Sequence, residues 1–191
     1  MNQNLAVSSN PNLNTFPKLL DDLTSRVGED VAIREKDLGI WQSWTWREFQ
    51  KEARIIANSL AKNGFSRGDK LAIIGDNRPE LYFGIMATQM LGGVPVPIYQ
   101  DSIAEEMVYI LDHAEVRFAI VEDQEQVDKL LSIRNKLSNL EFIIYEDPRG
   151  LRDYEDVGLM SYSSAREQGL LFSSKSPGFI GEEIEKGDAN D

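Results

Sequence analysis

Three short polar clusters carry residue types able to bind a ligand: Asp76-Asn77, Tyr99-Gln100-Asp101-Ser102 and Glu122-Asp123. The first and third follow apolar runs of strand length at 71–74 and 118–121, and the second opens on Tyr99, the last residue of such a run at 94–99. In open α/β sheets ligands collect beyond the carboxyl ends of strands, so these clusters are the candidate binding positions. Asp, Asn and Ser are also what a helix N-terminus needs for its unpaired N–H groups. Plain capping therefore accounts for the first and third clusters without a ligand. The loop of Tyr99, Gln100, Asp101 and Ser102 is the stronger candidate, because Tyr99 adds an aromatic surface beside a proline-stiffened strand. His113, the single histidine, falls in the last turn of an expected helix, where it complements the helix dipole. Gly178-x-x-Gly181 is too short to cradle a triphosphate, and neither a Gly-x-Gly-x-x-Gly run nor a nucleophile with a base is evident. Taken alone, these residues describe an α/β scaffold without catalytic machinery.

The elements that position the clusters follow from hydrophobic spacing. Residues 68–99 read as strand, helix, strand, with Asp76, Asn77 and Pro79 starting the helix and Gly92-Gly93 closing it. Apolar residues on nearly every face of 81–91 predict a helix buried on two sides. Pro95 and Pro97 cannot donate to a ladder, which predicts a sheet-edge position for their strand. Further strands are expected at 118–121 and 142–145, with helices between: one led by a Ser102/Glu105 capping box, the next over 124–137. Strands separated by helices imply a mostly parallel sheet with flanking helices, the α/β class.

A β-hairpin precedes this sheet. Residues 31–34 and 40–44 flank the connection Lys36-Asp37-Leu38-Gly39. A helix over 16–27 comes before it, and a helix after it starts at a Thr45/Glu48 capping box and ends at Gly64. Trp41, Trp44 and Trp46 are expected to pack on one face of the hairpin. Residues 1–14 read as a flexible arm and 15–171 as the α/β subdomain. The region 172–191 reads as a connection, after a helix over 161–168, and leaves Ile180 and Ile184 with nothing evident to pack against.

Composition narrows the functions. Twenty basic against 32 acidic residues give a net charge of −12, which disfavours nucleic acid and anionic membrane surfaces as partners. Zero cysteines and one histidine exclude thiol chemistry and leave no cluster for a transition metal. A hard cation such as magnesium, carried in by a phosphate ligand, is compatible. No apolar run approaches the roughly 20 residues of a membrane span, and the opening residues lack signal-peptide character. The expectation is a cytoplasmic protein.

Three stretches together carry a family resemblance: Trp44-Thr45-Trp46-Arg47-Glu48-Phe49; Gly68-Asp69-Lys70-Leu71-Ala72-Ile73-Ile74-Gly75-Asp76-Asn77-Arg78-Pro79-Glu80; and Gly92-Gly93-Val94-Pro95-Val96-Pro97-Ile98-Tyr99. They resemble the amino-terminal part of AMP-forming acyl-CoA synthetases, the adenylate-forming superfamily. Asn77-Arg78-Pro79-Glu80, followed by residues 102–111, is most similar to the long-chain fatty acid–CoA ligase branch. The resemblance implies a reaction in which ATP and a fatty acid form acyl-AMP and pyrophosphate, and CoA then takes the acyl group. ATP, Mg and CoA are the cofactors it implies for the complete enzyme. It also places Tyr99, Gln100, Asp101 and Ser102 near the CoA nucleotide, although some relatives carry two glycines where Gln100 and Asp101 stand.

The family's Ser/Thr/Gly-rich phosphate loop is expected just past Asp191, and residues 185–191 resemble its lead-in. On that reading the segment is an amino-terminal fragment whose partner is the remainder of the synthetase chain. It is inactive alone, binds no cofactor tightly and exposes apolar surface. The alternatives are a non-catalytic binding or interaction module built on the same scaffold, and a fragment of another AMP-forming ligase branch.

Overall fold

The computed structural model describes residues 11–191. Most of the expected amino-terminal arm, residues 1–10, lies outside the described residues. The described chain begins with helix α1 (Phe16–Val27), capped by the Thr15 side chain. Strands β1 (Val31–Asp37) and β2 (Ile40–Thr45) then form the antiparallel hairpin. Lys36 and Asp37 belong to β1, so the expected four-residue connection shrinks to Leu38-Gly39. Both have positive φ, 46° and 85°, the backbone that a two-residue hairpin turn demands. Helix α2 (Trp46–Lys62) starts at the predicted capping box, with Thr45 and Glu48 bonded reciprocally.

Five strands make the main sheet: β3 (Lys70–Ile74), β4 (Val94–Ile98), β5 (Phe118–Val121), β6 (Phe142–Tyr145) and β7 (Leu159–Ser161). Their order is β4-β3-β5-β6-β7, all parallel, with β4 at the edge as its prolines require. The Val94 N–H turns inward to Asp69 O at 2.9 Å. By the two-residue alternation of a strand, Pro95 and Pro97 then face the open side, where no ladder donor is needed. The helices connecting the strands are α3 (Pro79–Met90), α4 (Ala104–His113) and α5 (Gln124–Ile133), while α6 (Tyr162–Lys175) and α7 (Phe179–Glu185) follow β7.

The same alternation divides the core in two. Leu71, Ile73, Phe118, Ile120 and Ile144 face one layer, where Ile56, Leu60, Phe83, Met90 and Ala165 are buried. Ala72, Ile74, Ala119, Val121 and Ile143 face the other, with Met107 and Leu111 of α4 and Val127 and Leu130 of α5. Both faces of the parallel sheet are thus covered, and its strands read as unbroken apolar runs.

Several expectations need correction. The sheet continues to β7, beyond an irregular stretch around Pro148 and Gly150; its three half-buried residues carry too little hydrophobic signal to mark a strand. Helix α6 runs on past residue 168 to Lys175. The tail is helical, and Ile180 and Ile184 are buried where α7 packs on α1, α2 and α3. No Ser102 capping box forms: Ile103 occupies the N-cap, and the Ser102 N–H closes a turn on Tyr99 O. Neither Asp76 nor Asn77 caps α3, whose N-cap is Arg78 with Pro79 in the first turn. Trp44 meets Phe83 and Trp46 meets Phe49, each with ring centroids 6.2 Å apart. Trp41, three residues from Trp44 and so on the opposite strand face, is exposed.

Candidate functional site

Because β4 lies on one side of β3 and β5 on the other, the chain reverses direction across the sheet at β3. The loops leaving the carboxyl ends of these strands open a crevice there. Two of the three polar clusters meet in it. A groove of about 530 Å³ is lined by Asp76 and Asn77 from the β3 loop, by Tyr99, Gln100 and Asp101 from the β4 loop, and by Tyr82 of α3. Tyr82 Oη donates to Asn77 Oδ1 at 2.9 Å, and Lys129 Nζ donates to the Gln100 carbonyl at 2.5 Å. These bonds hold the two loops to α3 and α5. Tyr99 is 87% exposed, an unsupported ring at the groove's rim. Ser102 is not a lining residue of the groove.

The third cluster divides. Asp123 caps α5, accepting from the Gln126 N–H at 3.2 Å, which is the plain structural role. Glu122 instead reaches the β3 loop, accepting from the Asp76 N–H at 2.6 Å and from Arg78 Nε at 2.9 Å. A Cβ on Gly75 would stand 2.6 Å from Glu122 Cβ, so this close approach depends on glycine. His113 stacks on Tyr109, with centroids 5.4 Å apart, at the end of α4 away from the groove.

Sequence reasoning missed a second group of residues at the same end of the sheet. Arg78 bonds Glu35 of the hairpin as well as Glu122, and Glu80, Glu146 and Asp147 lie beside them in one cavity. Burial, and then the neighbouring charge of Glu80, pushes the Glu146 carboxyl up to about 7. Burial also raises Glu80. A signal was present, because Glu146-Asp147 follow strand β6 as directly as the other clusters follow theirs. Among the described residues, no cluster of His, Cys, Asp or Glu side chains is placed to hold a metal ion.

Residues 21–170 match the family model described as AMP-binding enzyme. The chain belongs to that family. Among its relatives, the long-chain-fatty-acid–CoA ligase ACSBG2 of Xenopus laevis is 28% identical over 134 residues, covering 70% of this chain and 18% of the ligase. The 4-hydroxybutyrate–CoA ligase 2 of Metallosphaera sedula is 35% identical over 105 residues, covering 55% of this chain and 19% of the relative. The chain therefore spans about a fifth of the length of these curated relatives. Its fold is similar to part of the N-terminal domain of FACL13 from Mycobacterium tuberculosis, with a TM-score of 0.63 at 20% identity over 82% of this chain and 35% of that one. Among the described residues, no helix is long and apolar enough to cross a membrane.

Proposed function

We propose that this chain is the amino-terminal α/β part of a long-chain fatty acid–CoA ligase, which joins a fatty acid to CoA through an acyl-AMP intermediate with release of pyrophosphate. The observation that carries the reading is the family match over residues 21–170, supported by relatives named as long-chain ligases. ATP, Mg and CoA are the cofactors of the complete enzyme on this reading. The groove between the β3 and β4 loops takes the CoA side, with Tyr99, Gln100 and Asp101 as its contact residues. An aromatic ring at an open rim suits stacking on a nucleotide base. Groups for adenylation are to be supplied by chain beyond these residues, so this segment alone forms no acyl-AMP.

The test is an acyl-CoA synthesis assay on the polypeptide isolated from its source cells and identified by its 103–117 peptide. Palmitate-dependent release of AMP and pyrophosphate is expected. Turnover of a short hydroxy acid in place of palmitate would move the chain to the branch of the Metallosphaera relative, the specific observation favouring a second reading. No turnover with any carboxylic acid would leave a non-catalytic module on this scaffold.

A further inference from the structure

The hairpin of β1 and β2 sorts its side chains by charge. Pairing sets Lys36 opposite Trp41 and Arg34 opposite Ser43, so these four residues share one face. Glu35 and Asp37 fall on the other face, where Glu35 bonds Arg78 and Trp44 meets Phe83. The outer face thus carries two cations, an aromatic ring and a hydroxyl, all exposed, with no carboxylate between them. Among the described residues, Arg34 and Lys36 have no ion-pair partner. Every other arginine except Arg152 is paired with a carboxylate.

An independent observation lies at the tip of the same hairpin. Leu38 is 92% exposed, and Ile40 and Trp41 are each 65% exposed. Single exposed apolar side chains are ordinary, but three within one turn make a patch. The hairpin is fastened to α3 by the Arg78–Glu35 bond and the Trp44–Phe83 contact, so the patch is held out rigidly. From the tip along β1 the order is Leu38, Lys36, Arg34, apolar first and cationic behind, with Trp41 beside Lys36. A bilayer surface has the same order of layers: apolar side chains meet the acyl boundary, tryptophan rings sit at headgroup level and cations meet phosphates. An acidic peptide, by contrast, would satisfy Arg34 and Lys36 and leave Leu38 in water.

We propose that the outer face and tip of this hairpin dock on an anionic phospholipid surface, with Leu38 and Trp41 entering the interface and Arg34 and Lys36 binding lipid phosphates. The net charge of −12 opposes this docking only at long range, because at about 0.15 M salt charges further than about 8 Å are largely screened. Asp37, next to Leu38, is the adverse charge at the tip and offsets one of the two cations. The surface does not depend on the ligase reading, since none of its residues lines the groove at Tyr99.

The experiment is flotation of the full polypeptide with vesicles of phosphatidylcholine, pure or with about one-third phosphatidylserine, at about 0.15 M salt. Saturable binding is expected, about fivefold tighter on the phosphatidylserine vesicles. Leu38→Ser/Trp41→Ser should weaken binding to both kinds of vesicle at least about tenfold. Arg34→Gln/Lys36→Gln should weaken binding to the phosphatidylserine vesicles about tenfold and abolish their advantage. All four side chains are exposed, so neither variant disturbs the core, and an unchanged melting temperature checks this. No binding, or binding that both variants leave unchanged, would overturn the proposal. Saturable binding of polyglutamate that is lost in Arg34→Gln/Lys36→Gln, with the vesicles left unbound, would also overturn it and give the face to an acidic protein partner.

Discussion

The guanidinium of Arg78 binds the Glu122 carboxylate through Nε at 2.9 Å while its Nη1 reaches Glu35 at 2.7 Å. One side chain thus fastens the hairpin and the β5 loop to the start of α3. The two carboxylates keep only 17% and 14% of their side-chain surface in water. Arg78→Ala strands both, although the partly exposed arginine lets water reach the gap. A loss of about 1–3 kcal/mol in urea unfolding is expected, reduced from the deeply buried case by that screening. Replacing Glu35 by Gln in the same background should recover part of it. A loss no larger than that of an ordinary surface arginine would show that solvent already screens the pair.

Glu146 sets a pH dependence of unusual sign for a carboxylate. Burial is the main cause of its rise from 4.5 to about 7, followed by Glu80. Between these values the folded chain keeps a proton that the unfolded chain has released. Stability from this group is therefore fully present below the unfolded value and is lost as pH rises through about 7. Because half of the group faces solvent, the effect is discounted to about 1 kcal/mol. Glu146→Gln should raise the melting temperature at about pH 8 and leave it unchanged at about pH 4. An equal shift at both pH values would mean that packing, not ionisation, is responsible.

Much of the fold was legible because its signals are local. The Thr45/Glu48 capping box, the apolar runs at 71–74, 118–121 and 142–145, and the prolines of the edge strand each act within a few residues. What stayed hidden depends on distant partners. Ile180 and Ile184 look stranded until α1, α2 and α3 are seen to close over them. Leu159–Ser161 becomes a strand only because β6 is there to pair with it. The meeting of Asp76-Asn77 with Tyr99, Gln100 and Asp101 followed from the strand-end rule. The cluster around Arg78 did not, because Glu35, Glu122 and Glu146 lie far apart in sequence and are joined by tertiary contacts alone.

Gly169 has the same lesson in reverse. The expected helix stops at residue 168, yet α6 runs through Gly169. A Cβ there would stand 2.0 Å from the Ile55 carbonyl of α2, so glycine is what lets the two helices pack this closely. Gly169→Ala must push them apart, at a cost of about 1–3 kcal/mol. Gly181 in α7 has nothing within 4 Å of the same atom. Gly181→Ala should therefore stabilise by up to about 1 kcal/mol through helix propensity. Thermal unfolding of the two variants side by side should shift in opposite directions. Parallel shifts would refute the backbone-contact account.

The CoA assignment at the β4 loop is tested at Gln100. Its carbonyl is held by Lys129 Nζ, so the loop backbone cannot easily swing aside to make room for a larger side chain. Gln100→Trp in the complete enzyme therefore places its added bulk in the groove shared with Asp76, Asn77 and Asp101. If CoA occupies that groove, the KM for CoA should rise roughly fivefold, a loss of about 1 kcal/mol, with the KM for ATP little changed. The contrast between the two substrates is the informative quantity, because general destabilisation would affect both. Equal effects on CoA and ATP, or none on either, would remove the loop of Tyr99, Gln100 and Asp101 from the CoA path and leave the groove with a structural role.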